Sequence, residues 1–191
     1  MDSADIKMMR VKQILVTNGI LLITLPIIFS MIFFLEISMS TYFFILAFLV
    51  LIQAAAGVVR GYSTKSIIPI FEQVATYEKE KMGIEWKKQR KSSIVSSFIV
   101  SIVMFLNWLM SLESPSNMVE LDFSFILIIS VILIVLINIG LLVHIRKVDG
   151  SNSQQDMKGY TLKTNLIGIV IGIVFAILFI IISLLYVMSK V

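Results

Sequence analysis

Residues 123–143, FSFILIISVILIVLINIGLLV, run for 21 positions without a charged side chain. A helix needs about 20 mainly apolar residues to cross a hydrocarbon core of about 30 Å, so this segment has the length of one membrane span. Four further runs have a similar length and character. Together they predict five transmembrane helices, at about 14–35, 41–59, 94–112, 123–143 and 166–187.

The composition of the whole chain supports the same fold class. Its 191 residues are 58% hydrophobic and 15% charged, whereas soluble domains usually contain about 25% charged residues. Such an excess of apolar surface has to face lipid, where only helices or closed barrels satisfy their backbone groups. The apolar runs lack the alternation of barrel strands. We therefore expect residues 1–191 to form a single all-α polytopic membrane domain.

The basic residues indicate how this domain lies in the membrane. Fifteen of the sixteen lysines and arginines fall before the first predicted span, between the second and third, or between the fourth and fifth. Cytoplasmic loops carry such an excess, so the N-terminus is predicted inside and the C-terminus outside. The isoleucine- and lysine-rich composition suggests a bacterial source, in which case the membrane would be the plasma membrane.

The longest connection, residues 60–93, carries a helical pattern of its own. Pro69 suits the first turn of a helix and Gly83 suits its end. The apolar positions between them follow the spacing of one helical face: Ile67, Ile70, Phe71, Val74 and Tyr77. This pattern predicts a short amphipathic helix along the cytoplasmic leaflet. It would serve as a membrane-surface connector or, as the less favoured alternative, as a docking surface for a cytoplasmic protein.

Four amide side chains lie within or at the edge of the spans, toward their cytoplasmic ends: Asn18, Gln53, Asn138 and Asn165. They could line an inward-facing polar cavity, or they could bind one another and hold the helices together, which is the favoured interpretation. Pro26 interrupts the first span and predicts a kink there. A carbonyl freed at such a kink can coordinate an ion in transporters, although most such prolines only bend a helix.

Small residues recur at four-residue spacing in two spans, which lets helix backbones approach closely in lipid. The predicted packing faces are Gly168, Gly172 and Ala176 in the fifth span, with Ser93, Ser97 and Ser101 in the third. Such faces mediate packing within one chain or pairing between two copies. Packing within the chain is the default expectation.

Several classes of chemistry lack the residues that they need. The chain has no cysteine and one histidine, His144, which excludes a thiolate nucleophile and a multi-histidine metal site within one chain. No phosphate-binding glycine loop, serine–histidine–aspartate set or intramembrane carboxylate pair is present in the sequence. We therefore predict no catalytic residue, no cofactor and no metal. His144 could sense pH, but the favoured interpretation is an incidental residue at the membrane border.

These patterns rank three functions. A non-enzymatic accessory, assembly or self-protection membrane protein comes first, with a membrane protein or a second copy as its partner. A small transporter or channel with an inner-side polar cavity is the alternative, and a lipid-modifying enzyme ranks third. Nucleic acid is excluded as a partner, because the basic residues lie near span ends and are interspersed with Glu72, Glu78, Glu80 and Glu85.

Overall fold

The computed structural model describes residues 2–34, 37–112 and 123–188, and these residues form helices joined by short turns. Six α-helices occur in this part of the chain, together with one short 3-10 helix, Gln154–Met157. The α-helices are α1 (Ser3–Phe34), α2 (Met39–Arg60), α3 (Pro69–Met82), α4 (Ile84–Ser111), α5 (Phe123–Asp149) and α6 (Tyr160–Met188).

Four of these helices contain segments long and apolar enough to cross a membrane. The segments are Ser3–Ser30, Ser40–Arg60, Ile84–Ser111 and Leu127–Asp149. They contain or overlap the first four predicted spans, which confirms an all-helical protein compatible with membrane embedding. The fifth predicted span, 166–187, falls within α6, whose later side chains lie outside the described residues. Its crossing of the membrane stays a prediction.

The most extensive contact between helices joins α2 and α4, because small residues bring their backbones together. Ala47 and Ala54 are 2% and 1% exposed at this interface. A Cβ atom at Gly57 would lie 2.9 Å from Cγ1 of Ile94, which is closer than carbon atoms pack. Ser101 Oγ donates a hydrogen bond to the backbone carbonyl of Ala47, over 2.9 Å. The interface therefore combines close packing of small residues with the hydrogen bond from Ser101 to Ala47.

The other packing centres on α3, which contacts α1, α4 and α5. A small apolar core forms there, because side chains from all four helices and from the 3-10 helix meet. Its buried members are Met9, Ile70, Val74, Tyr77, Met82, Trp86, Val148 and Met157. The contacts of this core bring the start of α1, the end of α5 and the start of α4 to one end of the molecule, which we call the basic end.

The helix α3 begins at Pro69 and ends before Gly83, as the sequence predicts. Gly83 has a φ of 57°, a conformation that favours glycine, and this lets α4 begin at the next residue. The apolar face of α3 packs within the chain, and its position along the cytoplasmic leaflet stays a prediction. Other helices of the same chain cover Ile70, Val74 and Tyr77, while Ile67 precedes the helix and is 86% exposed. Residues 84–93 of the predicted connection belong to α4.

Candidate functional site

The basic end contains a buried cluster of charged side chains that is centred on Arg10 of α1. Arg10 is 5% exposed. Its Nη1 atom donates to Glu78 Oε1 of α3 and to Gln13 Oε1, both over 2.8 Å. Its Nη2 and Nε atoms donate to the carboxylate of Asp149 at the end of α5, at 2.8 and 3.2 Å. One guanidinium group thus ties three helices together through charged hydrogen bonds.

Glu78 receives a second partner from α5. His144 Nε2 lies 3.2 Å from Glu78 Oε1, the same oxygen that Arg10 contacts. His144 Nδ1 lies 2.8 Å from the hydroxyl of Tyr160 at the start of α6. The two ring nitrogens of His144 therefore bridge the Glu78 carboxylate and the Tyr160 hydroxyl. These contacts extend the cluster from α1, α3 and α5 to α6.

The environment of Glu78 favours its charged form. Burial by itself would raise the pKa of this carboxyl group, because a charge is disfavoured away from water. Hydrogen bonds and attraction from His144 and Arg10 outweigh burial and hold the pKa of Glu78 below its ordinary value. The aromatic ring of Tyr77 also lies 5.2 Å from Cζ of Arg10. We call the set Arg10, Gln13, Tyr77, Glu78, His144, Asp149 and Tyr160 the charged junction.

The chemical capacity of the charged junction is limited by its own pairing. Its two carboxylates face one guanidinium and one imidazole. Within the described part of the chain, no buried side-chain nitrogen or oxygen lacks a hydrogen-bond partner. No group of three or more histidine, aspartate or glutamate side chains in residues 2–34, 37–112 and 123–188 is arranged to hold a metal ion. The paired charges hold α1, α3 and α5 together.

A second set of contacts joins the starts of α4 and α6. Glu85 is 4% exposed, and its Oε2 atom accepts from the backbone N–H of Thr161 over 3.1 Å. The Thr161 hydroxyl donates to the carbonyl of Glu85, also over 3.1 Å. Lys88 Nζ lies 2.7 Å from Glu85 Oε1 and balances its charge. This pairing anchors the first turn of α6 to α4.

The four predicted amides do not form one group. Asn18 and Asn138 lie together, because each side chain donates its NH₂ group to the other's oxygen, over 3.0 and 2.7 Å. Asn165 instead donates to Ser92 Oγ over 2.7 Å. Gln53 is exposed on α2 and belongs to neither pair. The amide contacts thus join α1 to α5 and α4 to α6.

Pro26 of α1 and the two glycines of the predicted α6 packing face are all at exposed positions. The helix α1 continues through Pro26, which is exposed, and the bend itself stays a prediction. Apart from the adjacent residues and backbone of α6 itself, no described atom lies within 4 Å of a Cβ placed on Gly168 or Gly172, so that face of α6 packs against no other helix in the described structure. The side chain of Ala176 lies outside the described residues.

The serine series of α4 is buried progressively toward its centre. Ser93 is exposed, Ser97 is partly exposed and Ser101 is 6% exposed against α2. Of the three hydroxyl groups, that of Ser101 bonds to another helix, whereas Ser97 donates to the carbonyl of Ser93 in its own helix. Close packing in this series is therefore concentrated at Ser101.

Sequence reasoning missed the charged junction, since Arg10 and Asp149 are 139 positions apart in the chain. It identified His144 without its contacts with Glu78 and Tyr160. One local signal was available: Glu78 directly follows Tyr77 on the apolar side of α3, where a charge has to find a partner. Comparison with protein-family models, with curated proteins and with solved structures finds no match, so the proposals that follow depend on the residues of this chain.

Proposed function

We propose that the chain is a non-enzymatic, multi-pass membrane protein of the bacterial plasma membrane, acting as an accessory, assembly or self-protection component. The observation that carries the proposal is the internal pairing of the charged junction. Arg10, Glu78 and Asp149 are committed to one another, so the described part of the chain presents a fixed helical unit in which every buried side-chain nitrogen and oxygen has a hydrogen-bond partner. A protein that acts by association needs such a unit more than it needs a reactive site.

The proposed orientation places the basic end in the cytoplasm. The positive-inside distribution of fifteen basic residues supports this, as does their position at the start of α1, around α3 and between α5 and α6. In this orientation five helices cross the membrane, with the N-terminus inside and the C-terminus outside. The charged junction then closes the cytoplasmic side of the helices.

The proposed partner is another membrane protein or a second copy of the chain. The support comes from α6, where Gly168 and Gly172 present a small-residue face with open space beside it. Small residues at four-residue spacing allow a neighbouring transmembrane helix to approach closely. Lipid also covers such a face, so crosslinking in the membrane is needed to distinguish a helix from lipid.

Site-directed crosslinking tests the proposal cleanly because the chain has no cysteine of its own. Gly172→Cys would be compared with Val170→Cys, which is 59% exposed two residues away on another face of α6. We expect a discrete crosslinked product from Gly172→Cys that is absent from Val170→Cys, together with a stoichiometric partner or dimer after purification in mild detergent. A monomer without any specific product from either variant would count against the proposal.

A carrier or channel is the second candidate, and the Asn18–Asn138 pair is the observation that favours it. Two amides with polar atoms inside apolar helices can line a polar path if they separate. Purified chain reconstituted alone into vesicles, with K⁺-, Na⁺- or pH-sensitive dyes enclosed, would decide between the candidates. Flux that exceeds protein-free vesicles, and that is lost in Asn18→Leu with the fold intact, would replace the accessory function.

A further inference from the structure

Three basic side chains meet around the residues that follow α2, although they come from two other helices. Lys79 of α3 donates from Nζ to the carbonyl of Tyr62, over 3.3 Å. Arg90 of α4 donates from Nε to the neighbouring carbonyl of Gly61, over 2.9 Å. Lys87 Nζ lies 5.8 Å from the centre of the Tyr62 ring. We call Lys79, Lys87 and Arg90 the cationic cluster.

A buried tryptophan organises this cluster. Trp86 is 5% exposed, and the charged groups of both Lys79 and Arg90 lie beside its ring, at 5.5 and 5.7 Å from its centre. Attraction between a cation and an aromatic ring, together with the backbone carbonyls, restricts the position of these long side chains. The cluster is therefore held in place before any ligand arrives.

The charge of the cluster is not balanced by the protein. Among the described residues, no carboxylate lies within ion-pair distance of Lys79, Lys87 or Arg90. The nearby basic residue Lys88 differs, because it pairs with Glu85 over 2.7 Å. The carbonyl oxygens of Gly61 and Tyr62 carry only a partial negative charge. They do not neutralise the three cations, so the cluster keeps a net positive charge. An anion bound at this position would supply the negative charge that the described residues do not provide.

The surroundings indicate the kind of anion. The cluster lies directly beyond Arg60, where the apolar segment of α2 ends. The last apolar residues of that segment, Val58 and Val59, are 56% and 88% exposed, and Tyr62 is 51% exposed. The cations and the Tyr62 ring thus lie just beyond the end of α2, next to its exposed valines, as a headgroup and its interface adjoin the acyl chains of a phospholipid.

We propose that the cationic cluster is a binding site for the phosphate headgroup of an anionic phospholipid. Arg90 and the two lysines hold the phosphate, while the acyl chains lie along the exposed valines at the end of α2. This goes beyond the proposed function, because it requires only that the helices are embedded in a membrane. The same phosphate chemistry could come from a free anion, and the lipid source is distinguished by the need for an acyl chain.

The test compares two sets of variants with the same change in net charge. The site variant is Lys79→Gln/Lys87→Gln/Arg90→Gln. The control is Lys7→Gln/Lys158→Gln/Lys163→Gln, three exposed lysines outside the cluster. Delipidated protein in mild detergent would be titrated with phosphatidylglycerol, phosphatidylcholine or inorganic phosphate, and bound lipid counted by native mass spectrometry. Circular dichroism would check that each variant keeps its helix content.

We expect phosphatidylglycerol to bind the natural protein and the control variant with similar affinity. The site variant should bind at least about tenfold more weakly, because each basic residue near an anionic lipid contributes to its attraction. Equal weakening in both variants would overturn the proposal, since it indicates diffuse attraction only. If inorganic phosphate binds with the same affinity as phosphatidylglycerol and competes with it, the acyl chains are not needed and the proposed phospholipid ligand is wrong. The single substitution Lys87→Gln, at an exposed side chain, should weaken phosphatidylglycerol binding if the triple variant fails to fold, and no weakening would count against the site.

Discussion

The charged junction and the α2–α4 interface hold helices together by different physical means. At the junction, Arg10 of α1 reaches Glu78 and Asp149 through directional bonds between charged groups. Between α2 and α4, Ala54 and Gly57 bring two backbones close, and contact between apolar atoms dominates. The first arrangement depends on charge and pH, and the second depends on side-chain volume. Each is therefore sensitive to a substitution that the other would tolerate.

The location of each region explains why charged groups hold one together and small apolar residues hold the other. Within the apolar segments, an unpaired charge is costly, and helices gain nothing from hydrophobic burial against one another because lipid is equally apolar. Within these segments, helices therefore associate through small residues that let their backbones pack closely. At the basic end, outside the spans predicted from the sequence, a buried ion pair is tolerable if each charge finds several partners. The junction meets this condition through Gln13 and His144 as well as through its ion pairs.

The largest effect is expected from Arg10→Met. This change leaves the buried carboxylate of Glu78 and the partly exposed carboxylate of Asp149 without their guanidinium partner, and such losses cost about 3 kcal/mol. Unfolding in mixed detergent micelles would measure the free energy. Lys12→Met is the control, because Lys12 is an exposed cation on the same helix. If both variants lose the same small amount, the junction does not stabilise the fold.

A smaller effect is expected from Ala54→Leu in the α2–α4 interface. Ala54 is 1% exposed, and three added carbon atoms have no space there, so overpacking should cost about 2 kcal/mol. Ala55→Leu, at an exposed position of the same helix, adds the same atoms toward the lipid side and serves as the control. The same unfolding measurement applies, and equal stability of the two variants would exclude close packing at Ala54.

The pH dependence of stability distinguishes the two regions further. The pKa of Glu78 lies below its ordinary value of 4.5 in the folded protein, so its carboxylate stabilises the fold at higher pH. This stabilisation is present above about pH 4.5 and is lost as the pH falls through the lowered pKa. We expect thermal unfolding between pH 7 and pH 3 to show a smaller decline in Glu78→Gln than in the natural protein. Glu80→Gln, an exposed carboxylate on the same helix, should keep the natural decline, and an unchanged profile in Glu78→Gln would contradict the assignment.

The smallest effect is expected at the Asn18–Asn138 pair. Hydrogen bonds between transmembrane helices contribute about 0.6 kcal/mol on average, so a double-mutant cycle of Asn18→Leu and Asn138→Leu should give a coupling near that value. A parallel cycle of Asn18→Leu with Gln53→Leu, whose side chains do not meet, should give no coupling. Strong coupling in both cycles would mean that the hydrogen bonds between Asn18 and Asn138 are not the source of the coupling energy.

The sequence predicted the elements of the fold better than their contacts. Length and hydropathy identify each long helix, since the hydrocarbon core imposes a fixed length on any segment that crosses it. Pro69 and Gly83 bracket α3 because their backbone preferences are local. The helices nevertheless extend beyond the predicted spans. For example, α1 begins at Ser3 and α4 at Ile84, because a helix can continue past the apolar region.

The candidate site was predicted only in fragments. The amide pattern included Asn18 and Asn138, which bond to each other, but it also included Gln53, which faces outward. Residue type and depth select amides in a membrane, whereas the direction of each side chain depends on how the helices rotate and pack. The packing series has the same limit: Ser101 is buried against α2, while Gly168 and Gly172 face open space.

What the sequence by itself determined is the set of helices, their apolar character and the concentration of basic residues near certain helix ends. These properties follow from local composition and from the thickness of the membrane. Only the tertiary structure decided which charges pair, because Arg10, Glu78 and Asp149 come together from three helices that are distant in the chain. It also decided that Lys79, Lys87 and Arg90 gather without a carboxylate among the described residues, which depends on how α3 and α4 turn at Gly83.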